Sequence, residues 1–325
     1  MLPSLTEAQL AHWNTRGYLV LDDVLDLQTD IAPVVAEYEA LLDTLCSRWY
    51  DEGRLSSTYA GLPFGQRLIK VFAQSGQAYY QHFDIALPGA GVTEETPIHT
   101  GPAVFGLLTS PRLLDAVQML IGPEIYSNPV QHVRIKPPQR LVPDGHVSSL
   151  VRATDWHQDQ GVILPEADAS IMLTVWVPIT DATVENGCLA VIPGSHQAGL
   201  APHCLGSAAR PDLHIPDQFL PLEEAVPVPV KRGGVLLMHR CTKHSSLSNQ
   251  SDDIRWSFDL RYNPIGQPTG RPAFPGFVAR SGADPASVLP DHHAWTALWH
   301  AARRRLAESE QQRFNRWAED ALVCA

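Results

Sequence analysis

The sequence predicts a β core with helices packed around it, and three observations carry that prediction. Roughly the first 120 residues hold helix caps followed by runs of 3.6-residue periodicity. From 126 to 262 the pattern changes to short β-rich runs separated by turn residues, with no helical stretch between them, as in an antiparallel sandwich or barrel. Residues 291–322 then return to helix. With 44% hydrophobic and 18% charged residues in 325, the chain is globular and long enough to bury a core without a disulfide or zinc staple.

In chain order, Thr6-Glu-Ala-Gln9 reads as a capping box, with Leu10 and Trp13 on one helical face and Gly17 as the stop. Tyr18–Leu21 follows as a strand. Asp30 is the expected cap of a second helix that runs to about Glu52, where Gly53 ends it. Residues 54–105 are of mixed character and carry Tyr59, Phe64, Phe72, Tyr79, Tyr80 and Phe83, read as core more than as a substrate cage. Ser110 and Pro111 open another helix as cap and first helical residue, and Gly122 ends it. Strands are expected at 126–136, 154–160, 170–178, 188–192, 226–230, 234–239 and 254–262. Segments 140–152 and 199–222 are long Pro-, Gly- and polar-rich interruptions, the kind that usually serve function. Asp291 caps the last helix, with Trp295, Leu298 and Trp299 on one face and Arg303–Arg305 on a solvated one. No linker composition divides the chain. One domain spans 1–325, with a helical region at about 4–122, a β core at about 126–264 and a terminal helix at 291–322.

A formal charge of −11 argues against nucleic acid and anionic lipid as partners. Five scattered cysteines without a C-x-x-C pair read as reduced thiols. There is no signal-peptide pattern at the N-terminus and no apolar run of about 18 residues, so a cytoplasmic protein without a membrane span is expected.

The chemistry is concentrated in Trp156-His157-Gln158-Asp159. Positions two apart on a strand share a face, so His157 and Asp159 converge on one point. A second histidine would complete a 2-His-1-carboxylate triad, which leaves coordination positions open and suits non-haem Fe(II). Zinc usually takes more His or Cys. The second histidine is His239 or His244. Downstream, Ile254, Trp256, Phe258 and Leu260 alternate with Arg255, Ser257, Asp259 and Arg261. The polar row is either a solvent-facing edge or the lining of a wet cavity, where Arg255 grips a carboxylate with two donors and Ser257 adds a third.

Taken together, the H-x-D pair, a distal His and an Arg-x-Ser resemble the Fe(II)/2-oxoglutarate dioxygenases of the phytanoyl-CoA dioxygenase type. In that family the distal His begins an H-x-S-x-x-N run with the Arg eleven residues on. Here His244-Ser-Ser-Leu-Ser-Asn249 precedes Arg255 by that spacing, while His239 occupies the place of an earlier family histidine. Asn186–His196 resembles the family's turn, strand and Pro-Gly-Ser-His run, in which His196 is read as structural. The resemblance covers most of residues 5–264. It implies a double-stranded β-helix, or jelly roll, with flanking helices. It implies Fe(II) on His157, Asp159 and His244, and 2-oxoglutarate as cosubstrate with its distal carboxylate on Arg255 and Ser257. Trp176, nineteen residues after His157, borders the cosubstrate, and Thr174 on the same face is a further candidate contact to it, the alternative being that it fills the barrel. A polar group of strand 126–136 also touches 2-oxoglutarate in similar enzymes; Gln131, Arg134 and Lys136 are the candidates, and Gln131 faces the opposite way from the other two.

The implied reaction uses O2, releases succinate and CO2, and hydroxylates a C–H bond of a small molecule. Asp159 favours hydroxylation over halogenation, because related halogenases lack the carboxylate. Desaturation, cyclisation and epimerisation start from the same hydrogen abstraction and stay open, as does a non-catalytic metal-binding barrel. A zinc hydrolase gives no reason for Arg255. Substrate choice is assigned to 140–152 and 199–222. Oligomeric state is not legible.

Overall fold

The structure is a computed structural model that describes residues 4–75, 80–142, 148, 150–206, 212–309, 314, 316, 317 and 324. Tyr79, much of segment 140–152, residues 207–211 and most of the tail beyond 309 lie outside the described residues.

Helix α1 (Glu7–Arg16) begins at the expected capping box and ends at Gly17, whose φ of 77° suits the left-handed turn. Leu10, however, is exposed, and only Trp13 packs against the core. Strand β1 (Tyr18–Leu21) follows. The second helix starts earlier than expected. Asp26, not Asp30, accepts from the amides of Gln28 and Thr29, and a π-helical turn (Leu27–Ile31) leads into α2 (Ala32–Asp51). The Asp30 carboxylate instead accepts from the amide of Asp26 and the hydroxyl of Ser110, both at 2.8 Å. Ser110 therefore stands at the cap position of α5 (Pro111–Ile121) without capping it through its side chain. Helices α3 (Phe64–Ser75) and α4 (Pro102–Leu108) complete this layer. Residues Pro102–Ile121 have the length and hydropathy of a membrane span, which the sequence reading passed over. Here they form two helices that bury Val104, Leu107, Leu108, Leu113, Leu114 and Val117 in the core.

The strands are β2 (Ile125–Lys136), β3 (Leu173–Pro178), β4 (Leu189–Val191), β5 (Val226–Val228), β6 (Val235–His239), β7 (His244–Ser246), β8 (Arg255–Pro264) and β9 (Phe277–Arg280). Strands β7 and β9 were not expected. The H-x-D segment is not the strand that alternation suggested: His157 makes an isolated bridge to His244, and Asp159 opens a 3-10 turn (Asp159–Val162). All pairings are antiparallel, in a six-stranded sheet β1-β6-β3-β8-β2-β9 and a three-stranded sheet β5-β4-β7. The sheets face each other across Trp176, Leu236 and Met238 of the larger and Leu189, Val191 and Val228 of the smaller. The jelly-roll expectation is met as two facing sheets, and among the described residues no ladder closes them into a barrel.

Strand β8 sits inside the larger sheet, between β2 and β3, and is buried on both faces. Trp256, Phe258, Leu260 and Tyr262 face the helices, where Tyr38 of α2 packs on Trp256 with ring centroids 4.9 Å apart. Arg255, Ser257, Asp259 and Arg261 face inward and are buried. The polar row is thus a cavity lining and not a solvent edge.

Helix α6 (His292–Glu308) is capped by Asp291 and buries Trp295 and Trp299, while Leu298 is exposed. The reduced-thiol reading is corrected for two cysteines. Cys204 and Cys324 form a disulfide across 120 residues, with Cα atoms 5.5 Å apart, and Cys46, Cys188 and Cys241 are free and buried. The proximity of the two depends on where the tail runs, which spacing in sequence does not encode.

Candidate active site

His157, Asp159 and His244 bring one ligand atom each within 4.8 Å of one another, and all three are buried. The bridge between His157 and His244 aligns the imidazoles, and each Nε2 lies 3.9 Å from the same Asp159 oxygen. Each Nδ1 donates to a main-chain carbonyl: His157 to Asp155 at 2.8 Å and His244 to Thr242 at 3.0 Å. That assigns the proton to Nδ1 and leaves both Nε2 lone pairs directed at the carboxylate. Burial, with His244 alongside, holds His157 well below the usual imidazole range and so neutral. Burial pushes Asp159 up, but the charge and hydrogen bond of Arg261 outweigh it and keep the acid ionised. Thr174 and Arg261 both donate to Asp159. Two imidazole nitrogens and one carboxylate, held by hydrogen bonds behind them, fit a divalent iron.

Gln158 fixes the loop between the two ligands. Its side chain donates to the carbonyls of Gly199 (2.8 Å) and Cys241 (2.7 Å) and accepts from the amide of Ala201 (2.7 Å). Its own amide donates to His203 Nε2 at 3.0 Å. His239, the alternative ligand, is elsewhere: it accepts from the amide of Cys241 and packs on His196 and Trp13.

An enclosed chamber adjoins the triad, lined by Thr174, Trp176, Met238, Asp259 and Arg134 among others. The register places Lys136 opposite Arg255 and Arg134 opposite Ser257. Arg255 is fully buried, donates to Ser257 Oγ (2.6 Å) and the Gly187 carbonyl (3.1 Å), and lies 5.5 Å from the centre of the Trp176 ring. Its Nη2 has no partner in the structure, and burial lowers the guanidinium to about 10. The carboxylate nearest in charge, Asp259, is already bonded to Arg134. Among the described residues the Lys136 ammonium is bonded only to the hydroxyls of Ser246 (2.6 Å) and Thr154 (3.0 Å), and burial together with Arg255 pulls it well below the ordinary lysine value. A buried guanidinium with an orphaned donor, beside an under-neutralised lysine, is a carboxylate site by its chemistry. Gln131 does not join these residues. It turns to the other face of β2 and donates to the Ile85 carbonyl at 3.4 Å, because positions 132, 134 and 136 take the inward face.

The model for the phytanoyl-CoA dioxygenase family matches residues 13–257, about three-quarters of the chain. The chain belongs to that family, one of Fe(II)/2-oxoglutarate-dependent oxygenases. Among relatives of the phytanoyl-CoA dioxygenase type, a phytanoyl-CoA dioxygenase domain-containing protein 1 from Rattus norvegicus is 36% identical over 112 residues, 30% of this chain and 38% of that protein. The match thus spans under two-fifths of that relative's length. The 1-deoxypentalenic acid 11-beta-hydroxylase of Streptomyces arenae is 26% identical over 268 residues, 77% of this chain and 89% of that protein. Among solved structures, the non-haem monooxygenase ThoJ shares the fold with a TM-score of 0.53 at 21% identity, covering 91% of this chain and 97% of its own.

Sequence reasoning did not find the roles of Arg261 and His203. Arg261 was visible on the inward row, but its pairing with Asp159 depends on the course of the 3-10 turn. His203 had no local signal.

Proposed function

We propose that the protein is an Fe(II)/2-oxoglutarate-dependent dioxygenase that hydroxylates a C–H bond of a small organic molecule. The observation that carries this reading is the convergence of two imidazole lone pairs and one carboxylate beside a buried guanidinium without a counter-ion. His157, Asp159 and His244 would hold Fe(II), which with 2-oxoglutarate and O2 would supply the oxidising power for C–H cleavage, with succinate and CO2 as the co-products. The other residues position and exclude. Arg255 and Ser257 would clamp the distal carboxylate of the cosubstrate, with Lys136 beside them and Trp176 as the wall. Thr174 and Arg261 keep Asp159 ionised and oriented. Burial of the whole group keeps water from the reaction.

The presence of Asp159 supports hydroxylation over halogenation, and the Streptomyces relative is a hydroxylase. The test is substrate-stimulated succinate formation, with matching O2 consumption, by anaerobically iron-loaded protein over a library of small metabolites. Hydroxylated product with one succinate per turnover supports the reading. Protein that retains zinc and shows no 2-oxoglutarate-dependent O2 consumption after iron loading would overturn it.

A further inference from the structure

A second cavity of about 180 Å³ opens beside the triad and shares His157, Arg134, Thr154 and Arg261 with the enclosed chamber. Arg271 and Val162 are on its wall and not on the chamber's, and Arg255 lines neither. On the oxygenase reading, this larger space beside the triad receives the substrate.

Its charged groups are matched, with one exception. Arg134 is paired with Asp259, and Arg261 with Asp159. His132 meets Asp84 at 2.9 Å, and Asp212 meets Arg152 at 2.6 Å. Arg271 has no carboxylate among the described residues. Its Nη2 donates to the Val162 carbonyl at 2.6 Å, its Nε is buried without a partner, and its Nη1 makes no hydrogen bond in the structure. The guanidinium sits against the rings of Phe274 and Phe314, 5.7 and 5.2 Å from their centres, which are 5.2 Å from each other. Burial, with Arg261 nearby, lowers it to about 10. A partly buried cation fixed in place, with donors left over, is suited to take an anion.

Val162 ends the same turn that Asp159 begins, so Arg271 is tied to the main chain of the iron-ligand loop. An anion on Arg271 is therefore positioned relative to the metal centre. We infer that the substrate carries a carboxylate, which Arg271 binds at the wall of this cavity. The inference rests on the oxygenase reading only in giving the cavity to the substrate.

The test is calorimetric binding to the full chain, loaded anaerobically with Fe(II) and 2-oxoglutarate. Cyclohexanecarboxylate, 1-naphthoate and adamantane-1-carboxylate are each compared with the corresponding primary amide. A charge-assisted grip predicts that the acids bind about 10- to 100-fold tighter than their amides. Arg271→Gln should bring that ratio near unity, and Arg271→Lys should keep part of it. The wild-type ratio stands without any variant, so poor folding of Arg271→Gln leaves the inference testable. Acids that bind no better than amides, whether both bind or neither does, overturn it. An unchanged acid preference in Arg271→Gln, with weakened 2-oxoglutarate binding, also overturns it and assigns Arg271 to the cosubstrate. Failure of the wild type to bind Fe(II) or 2-oxoglutarate at all would instead count against the oxygenase reading, and the acid–amide comparison is then made on the unloaded chain.

Discussion

The ligand geometry separates two histidines only five residues apart. His244 faces Asp159 with a free Nε2, whereas His239 spends its Nδ1 on the Cys241 amide and packs among aromatic rings. His157→Ala or His244→Ala should leave less than a tenth of the wild-type iron after anaerobic reconstitution, while His239→Ala should retain about one iron per chain. Metal analysis decides it, and iron loss confined to His239→Ala would reverse the ligand choice. Arg255 poses the matching question for the cosubstrate. Losing one side of a buried charged pair costs about 3–5 kcal/mol. Arg255→Ala should thus weaken 2-oxoglutarate binding by about two to four orders of magnitude. Arg255→Lys should recover only part, because a point charge cannot reproduce the two-donor fork. Cosubstrate affinity unaltered in Arg255→Ala would remove the residue from the site.

At the scale of elements, the segment 199–222 does more than supply a specificity loop. Asp212 and Leu213 line the second cavity, which agrees with that expectation. Gly199, Ala201 and His203, however, bond Gln158, the residue between His157 and Asp159. Removing the whole segment would therefore disturb the metal centre as well as the substrate side. A sharper change is His203→Ala, which leaves the buried Gln158 amide without its acceptor. Such an orphaned donor costs about 1–3 kcal/mol. Iron affinity should fall about 10- to 100-fold, as for other groups that orient metal ligands. Iron titration of the variant checks this, and wild-type affinity would show that the loop holds its shape without His203.

Across the whole molecule, the tail is fastened to this same loop. Cys324 bonds Cys204, and Trp317 stacks on His203 while its indole donates to the Gly161 carbonyl at 2.7 Å. A cross-link closing so long a loop typically contributes about 2–5 kcal/mol, chiefly by restricting the unfolded chain. Cys324→Ser should lower the melting temperature, and reductant should lower the wild type to the same value. Equal melting with and without reductant would show that the bond does not stabilise the chain. Acid should also destabilise the protein. Burial lowers His82, His203 and His239 from an ordinary 6.5 to about 4 in the folded chain. These groups bind protons more readily when unfolded. Their contribution to stability is complete above about pH 6.5 and is lost as pH falls towards 4. Urea unfolding near pH 7 and near pH 5 should show lower stability at the acidic value; equal stability would mean that these histidines are solvated.

Local chemistry made much of this legible. Caps at Thr6 and Asp291, the Gly17 stop and the two-residue alternation of 254–261 each depend on neighbours in sequence, and each appears where expected. The alternation even sorted Arg255, Ser257, Asp259 and Arg261 onto one face, because a strand has no other way to arrange them. What alternation could not say is what that face meets. Only the position of β8 inside the larger sheet, with the smaller sheet across from it, turned a polar edge into a sealed lining. The same limit explains the other differences. His157 and Asp159 converge through a bridge and a 3-10 turn instead of a strand, Gln131 faces away, Asp26 displaces Asp30 as cap, and Cys204 finds Cys324. In each case the partner is chosen by packing, where burial decides which polar groups must be satisfied and by whom.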